Sequence, residues 1–232
     1  MTMTAKERAA TAALELVKDR MPLGLGTGSP AKHFIDGVGA KVAQGWDLKG
    51  IPTSQASADQ AESVSIPLIE PDETTIIDLA VDGADEADPN GALIKGGGGA
   101  LLREKIIAQA AKRFIVIADA SKDVPQLGAF PLPVEIDRFG WSLTVKAIRQ
   151  TLADLDYGTP DLTLRAQEEG GFFLSDGGHY VVDMALGRIA DPGLLDKTLT
   201  MLPGVVTTGL FVELTGSLVF GTADGVSVRH LT

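Results

Sequence analysis

Thr75-Ile76-Ile77-Asp78-Leu79-Ala80-Val81 is a nearly unbroken apolar run that stops on Asp82-Gly83-Ala84-Asp85. A strand wetted on one face alternates in polarity, whereas a parallel strand covered on both faces reads as continuous apolar sequence. Downstream, Lys95-Gly96-Gly97-Gly98-Gly99 leads straight into Ala100-Leu101-Leu102-Arg103-Glu104-Lys105-Ile106-Ile107, a helical pattern reaching about Lys112. Phe114-Ile115-Val116-Ile117-Ala118 supplies the next apolar strand. Strand, helix and strand in this order form a parallel crossover unit.

Upstream the same alternation holds. Residues 5–20 predict a helix with Ala9, Ala13, Leu16 and Val17 on one face. Pro22-Leu23-Gly24-Leu25-Gly26 predicts a short buried strand ending in the turn Thr27-Gly28-Ser29-Pro30. Ser29 suits a helix N-cap and Pro30 a first turn, for a helix to about Gln44. Leu48 to Thr53 predicts a strand and Ser54 to Ser63 a helix. The first half therefore predicts a doubly wound, Rossmann-like α/β sheet.

The second half has another rhythm. Strands are expected at Pro131–Ile136, Asp161–Ala166, Phe172–Met184 (a hairpin around Asp176-Gly177-Gly178) and Val205–Phe211. Helices are expected at Trp141–Asp156 and Asp191–Leu202, the latter capped by Asp191 with Pro192 at its first position. This β-α-β-β-α-β order matches the ferredoxin-like arrangement. Residues 128–203 are thus expected to form an inserted α+β domain, and 1–127 with 204–232 the Rossmann-like domain.

With 232 residues the chain can build a substantial core, and 44% hydrophobic content excludes disorder. No apolar run approaches the ~20 residues of a membrane span. The N-terminus lacks a basic stretch followed by an apolar one, so no signal peptide is expected. The absence of cysteine removes disulfides and thiolate chemistry and fits a cytoplasmic setting. A net charge of −11 argues against nucleic-acid binding while leaving room for small anions held locally.

In a doubly wound sheet, ligands bind beyond the carboxyl ends of the strands. Thr27-Gly28-Ser29, Asp82-Gly83-Ala84-Asp85 and Asp119-Ala120-Ser121-Lys122 fall at such ends, the glycine run follows the second of them closely, and all four are expected to converge. The amides of the glycine run suit an oxyanion, with Lys95 adding a charge. Gly24-Leu25-Gly26-Thr27-Gly28 departs from the dinucleotide spacing and no Walker lysine follows, which favours a phosphate-sized anion over NAD, with an ordinary strand–helix turn as the alternative. Asp82, Asp85, Glu86 and Asp88 could be a solvated acidic turn or a Mg²⁺ or Ca²⁺ site, though the EF-hand order is absent. His33, His179 and His230 lack ligand spacing and are expected to be structural. On the helical wheel Lys105, Gln109 and Lys112 mark the wet face and Ile106, Ile107 and Ala110 the dry one. Glu104 falls at the border and Arg103 further into the dry side, where it would pair with a buried carboxylate. Glu104 beside an anion-binding loop is a candidate general base, and a rim glutamate in water remains the alternative.

Together these segments resemble the A-type ribose-5-phosphate isomerase family. The likeness continues through Phe130-Pro131-Leu132-Pro133-Val134-Glu135 and Leu202-Pro203-Gly204-Val205-Val206-Thr207-Thr208-Gly209-Leu210-Phe211, and so spans nearly the whole chain. It implies a cofactor-free isomerase acting on a sugar phosphate in the pentose phosphate pathway, as a homodimer or homotetramer. By the resemblance, Glu104 would move a proton between C1 and C2. Asp82 and Asp85 would bind sugar hydroxyls and assist ring opening, and Lys95 would stabilise the enediolate oxygen. Thr27, Gly28, Ser29, Pro30 and Lys122 would surround the phosphate, together with Lys6, while Gly83, Ala84, Gly96, Gly97 and Gly98 would line the substrate. Pro30 stands where many members carry a hydroxyl, which removes one phosphate hydrogen bond and about 1 kcal/mol of binding. Two rivals remain. A sugar-phosphate sensing domain would bind without turnover, and a coenzyme A transferase-like enzyme would use a glutamate nucleophile.

Overall fold

In a computed structural model that describes residues 3–167 and 170–231, the chain begins α1 (Ala5–Leu14), β1 (Pro22–Leu25), α2 (Ser29–Ala43), β2 (Lys49–Pro52) and α3 (Gln55–Ser63). There follow β3 (Leu79–Asp82), β4 (Glu86–Ala87), β5 (Leu93–Ile94), α4 (Leu101–Ala110) and β6 (Phe114–Asp119). It continues with β7 (Leu132–Ile136), α5 (Trp141–Asp154), β8 (Asp161–Leu164), β9 (Tyr180–Ala185) and α6 (Pro192–Thr200). The last strands are β10 (Val205–Thr208), β11 (Leu210–Phe211), β12 (Ser217–Gly221) and β13 (Val226–His230). Two compact units result: Met1–Ala84 with Arg103–Asp123 and Glu213–Thr232, and Asp85–Leu102 with Val124–Val212. The second is wider than the 128–203 of the sequence reading, because β4, β5 and β11 make a small sheet of their own within it.

The first unit holds a six-stranded sheet in the order β13-β12-β6-β3-β1-β2, parallel except for β13. The chain steps from β1 to β2 on one side and to β3 on the other. That reversal of direction opens a crevice at the carboxyl ends of β1 and β3. Side chains alternate across the sheet. Leu23 and Leu25 of β1 join Ala9 and Ala13 of α1 and Phe34, Ile35 and Val38 of α2 in one core. Gly24 faces the other way, where a Cβ would sit 2.6 Å from Ile107 of α4. Helices therefore cover both faces, as the apolar strands require. Each fully buried Leu or Ile contributes about 1.5–3 kcal/mol.

The second unit contains the antiparallel sheet β10-β7-β9-β8. Leu132, Val134 and Ile136 of β7 and Val182 and Met184 of β9 share a core with Ile148 and Leu152 of α5 and Leu195 and Leu199 of α6. This is the ferredoxin-like arrangement. Asp191 caps α6 as expected, its Oδ1 accepting from the Leu194 N–H at 2.9 Å.

Several expectations shift. Helix α1 ends at Leu14 rather than Arg20. The apolar run 75–81 becomes regular strand only from Leu79, and Ile76 is exposed. At α2 the N-cap is Gly28, with φ +99°, and Ser29 is already helical. A left-handed cap favours glycine over serine. Val205–Phe211 divides at Gly209, whose N–H bonds to the Pro133 carbonyl.

Candidate active site

The expected site residues divide between the units: Thr27, Gly28, Ser29, Pro30, Asp82, Gly83, Ala84, Glu104 and Lys122 fall in the first, and Asp85, Lys95, Gly96, Gly97 and Gly98 in the second. In the first unit, three of the four polar segments open from the carboxyl ends of neighbouring strands β1, β3 and β6.

Asp82 closes β3 and is buried. Its Oδ1 accepts the N–H of Thr27 at 2.9 Å and of Gly83 at 2.7 Å. A Cβ at Gly26 would lie 2.3 Å from the Asp82 carboxyl carbon, so only glycine lets β1 end against this side chain. Asp82 and Glu104 line one narrow recess with Gly24, Thr53, Ile107 and Phe114. Glu104 is 5% exposed, which makes it neither a border residue nor a rim glutamate in water. The buried stripe of α4 is Leu101, Glu104, Ile107 and Ala108, while Arg103, Ile106, Gln109 and Ala110 are exposed. The wheel drawn from the sequence was rotated because Ile106 and Ala110 are apolar yet solvent-facing. Arg103 correspondingly lies outside the dry side and helps line an open groove with Glu70 and Ile106. Burying a carboxylate costs several kcal/mol, and a fold accepts that where the group has work to do.

Thr27 is held twice. Besides its amide bond to Asp82, its hydroxyl lies 2.9 Å from Thr53 Oγ1, 2.8 Å from Ser54 Oγ and 3.2 Å from Ser57 Oγ. Ser57 in turn donates to the Gly26 carbonyl at 2.7 Å. Thr53, Ser54 and Ser57 are thus supports that sequence reasoning did not single out; Ser54, expected as the first helical residue, is the N-cap of α3. Ser29 opens α2 and its hydroxyl accepts from Lys6 Nζ at 3.0 Å. Lys122 lies in the short turn after β6. Burial raises the Asp119 carboxyl, but the Ser121 hydroxyl and amide, with the charges of Lys6 and Lys122, outweigh it and hold the pKa below its usual value. Lys6, Ser29 and Lys122 thus supply a cationic, hydroxyl-bearing corner beside Asp119, next to the N-terminus of α2.

In the second unit, the Asp85 N–H bonds the Ile94 carbonyl at 2.8 Å, and its Oδ2 accepts from the Gly97 N–H at 2.8 Å. The Gly99 N–H bonds the Gly96 carbonyl at 2.9 Å. Two amides of the glycine run are therefore spent inside the unit rather than open to an oxyanion. Lys95 is buried, its N–H bonded to the Gly209 carbonyl and its ammonium 5.5 Å from the centre of the Phe211 ring. Glu86 accepts from the Gly128 and Phe130 amides, both at 2.6 Å, and Asp88 from those of Asn90 and Ala92. These carboxylates turn to backbone amides, and among the described residues no group of three or more is disposed to hold a metal. His179 bonds the buried Glu135 at 2.9 Å and His230 bonds Ser217 at 3.0 Å.

A doubly wound sheet with a buried glutamate and aspartate at its carboxyl edge, carrying a ferredoxin-like second unit, defines an α/β enzyme. A family model for ribose 5-phosphate isomerase A (phosphoriboisomerase A) matches residues 49–225. Ribose-5-phosphate isomerase A of Bradyrhizobium diazoefficiens is 49% identical over 226 residues, covering 96% of this chain and 94% of its own. That of Nitrobacter hamburgensis is 47% identical, covering 98% of both. The solved structure of ribose 5-phosphate isomerase A from Methanocaldococcus jannaschii has a TM-score of 0.90 at 35% identity over 97% of both chains. A D-ribose-5-phosphate isomerase in complex with phospho-erythronic acid has a TM-score of 0.91 at 37% identity, over 98% of this chain and 100% of that one. The chain belongs to the ribose 5-phosphate isomerase A family.

Proposed function

We propose that the chain interconverts D-ribose 5-phosphate and D-ribulose 5-phosphate through an enediolate, with Glu104 as the base. The observation that carries this reading is the burial of Glu104 in one recess with Asp82, in a member of an isomerase family. Aldose–ketose isomerisation needs a positioned base and fixed donors or cations where an oxygen becomes negative. Glu104 takes the proton from C2 of the open-chain aldose, and the electron pair forms the C1–C2 double bond as the carbonyl oxygen becomes anionic. Lys95 stabilises that oxygen. Return of the proton to C1, with a proton moving from O2 to O1, gives the ketose. Asp82 and Asp85 accept from sugar hydroxyls and assist ring opening.

The phosphate falls to Ser29, Lys6, Lys122 and the amides opening α2, because the Thr27 hydroxyl and amide are already engaged. Thr27 then serves by holding Asp82. Phospho-erythronic acid, present in the complex of one relative, is a phosphorylated sugar acid, and its class of ligand suits such a set of residues. The reading includes the non-oxidative branch of the pentose phosphate pathway, a cytoplasmic homo-oligomer and chemistry without a cofactor. Among the described residues no helix is long and apolar enough to cross a membrane.

The test is turnover of ribose 5-phosphate by the parent and by Glu104→Gln. The variant keeps shape and loses basicity, so kcat should fall by about 10³-fold or more with the melting temperature little changed. In D₂O the parent should place deuterium at C1 of the ketose. A Glu104→Gln protein within about tenfold of the parent removes Glu104 as the base. Binding by the parent without any turnover would favour the sensing domain instead.

A further inference from the structure

Arg165 follows β8 in the second unit, and its guanidinium is clamped from several sides. Nε lies 2.9 Å from Asp183 Oδ2 and Nη2 lies 2.6 Å from Asp183 Oδ1, a two-pronged ion pair with Asp183 of β9. The guanidinium carbon stands 5.6 Å from the centre of the Phe173 ring. Nη1 donates to the Gly96 carbonyl at 2.9 Å and to the Gly97 carbonyl at 3.1 Å. The Arg165 side chain is only 16% exposed.

In a trans peptide the C=O and the following N–H point in opposite directions. The Gly96–Gly97 peptide is therefore held at both ends: its oxygen by Arg165 and its N–H by Asp85 Oδ2 at 2.8 Å. The hold on the Gly97 carbonyl also turns the Gly98 N–H away from Arg165. A Cβ at Gly97 would lie 2.7 Å from Asp85 Oδ1, so the carboxylate packs directly on this peptide. Arg165 thus reaches Asp85 through one rigid peptide plane, and the same plane follows Lys95 in the chain.

We propose that Arg165, fixed by Asp183, is a positioning residue for the isomerisation: it orients the Gly96–Gly97 peptide and through it the Asp85 carboxylate. The inference rests on the isomerase reading above. It assigns work to Arg165, just after β8, and to Asp183 of β9, for which the sequence motifs give no role. A bidentate, planar guanidinium suits this task, because a lysine cannot bridge a carboxylate and two carbonyls with fixed geometry.

The experiment measures kcat/KM on ribose 5-phosphate and the melting temperature for Arg165→Met, in the parent and in an Asp85→Asn background. Misplacing a working carboxylate should lower kcat/KM by about 10- to 100-fold in the parent. In the Asp85→Asn background, where that carboxylate is already lost, the further loss should be under about threefold. The drop in melting temperature should be similar in both backgrounds, and Arg165→Lys should recover only part of the activity. A merely structural arginine would lose the same factor in both. Equal losses, or an Arg165→Met protein within about threefold of the parent, overturn the proposal. Should Arg165→Met fail to fold, Asp183→Asn loosens the clamp at constant volume. It should show the same contrast at about fivefold against under twofold, and equal losses would again overturn it. A parent inactive on ribose 5-phosphate removes the isomerase reading itself, whereas an active parent with background-independent losses removes this inference alone.

Discussion

Gly26→Ala tests how rigidly the first unit holds Asp82. The new Cβ would lie 2.3 Å from Asp82 Cγ and Oδ1 and 2.5 Å from its Cα. Ordinary contact begins near about 3.4 Å, so the carboxylate must retreat by about 1.1 Å in a close-packed interior. A new rotamer cannot relieve the clash alone, since the Cα is also too near. The retreat strains the hydrogen bonds from the Thr27 and Gly83 amides, now 2.9 and 2.7 Å. Overpacking costs about 1–3 kcal/mol, and each bond to a charged group contributes about 1.5–3 kcal/mol. With the bonds only partly lost, destabilisation of about 2–5 kcal/mol is expected, or roughly 5–15 °C in Tm for a chain of this size. A carboxylate misplaced by about 1 Å should also lower kcat/KM by up to about 100-fold. Thermal melts and a ribose 5-phosphate assay read both effects. Gly83→Ala is the stability control, because its Cβ would meet nothing nearer than the Thr27 carbonyl at 3.7 Å, and it should shift stability by under about 0.5 kcal/mol. A Gly26→Ala protein that melts with the control and keeps its kcat/KM within about threefold would refute the packing argument.

Lys122→Ala should raise KM about tenfold with kcat nearly unchanged, since a phosphate contact far from the reacting carbons contributes uniform binding. Lys95→Met, which fills the buried site without the charge, should instead lower kcat by about 10²- to 10³-fold, and a steady-state comparison of the two variants separates the roles. The Asp119 carboxyl titrates below its usual value when folded, so it stabilises the fold above the ordinary carboxylate range and that contribution fades on acidification. The parent should therefore lose its advantage in Tm over Asp119→Asn as the pH falls from about 6 through about 4 and below. An advantage that grew on acidification would reverse the assigned sign.

Much of the architecture was legible because buried parallel strands and alternating helices leave strong patterns. Asp191 and Pro192 announced the start of their helix, and the β-α-β-β-α-β order named the second sheet. The two-residue strands β4 and β5 were not legible, since a pair of residues has no period. Their pairing is fixed by long-range neighbours, β11 among them. Glu104 itself was found by its place after the glycine run, but its burial was hidden. Helix α4 carries apolar residues on the exposed side and a carboxylate on the buried one, which blurs the amphipathic signal that a wheel depends on. Arg165 was invisible for a different reason: its partners lie far along the chain at Gly96 and Asp183.

The two glycine-rich loops do a job different from the one their composition suggests. Such loops invite the expectation that backbone amides will cradle a phosphate. Here the Thr27 N–H goes to Asp82 and the Gly97 N–H to Asp85. Each loop thus uses an amide to fix a carboxylate, in a chain whose net charge is already −11. Elsewhere in the first unit Lys6 donates to Ser29, and the charges of Lys6 and Lys122 both act on Asp119. On the isomerase reading proposed above, the amides of Thr27, Gly83 and Gly97 orient acids, while ammonium groups and the amides opening α2 are left to meet the phosphate of the substrate. Gly26 and Gly97 are needed for what they approach, the Asp82 and Asp85 carboxylates, whereas Gly28, Gly96 and Gly99 are needed for their positive φ.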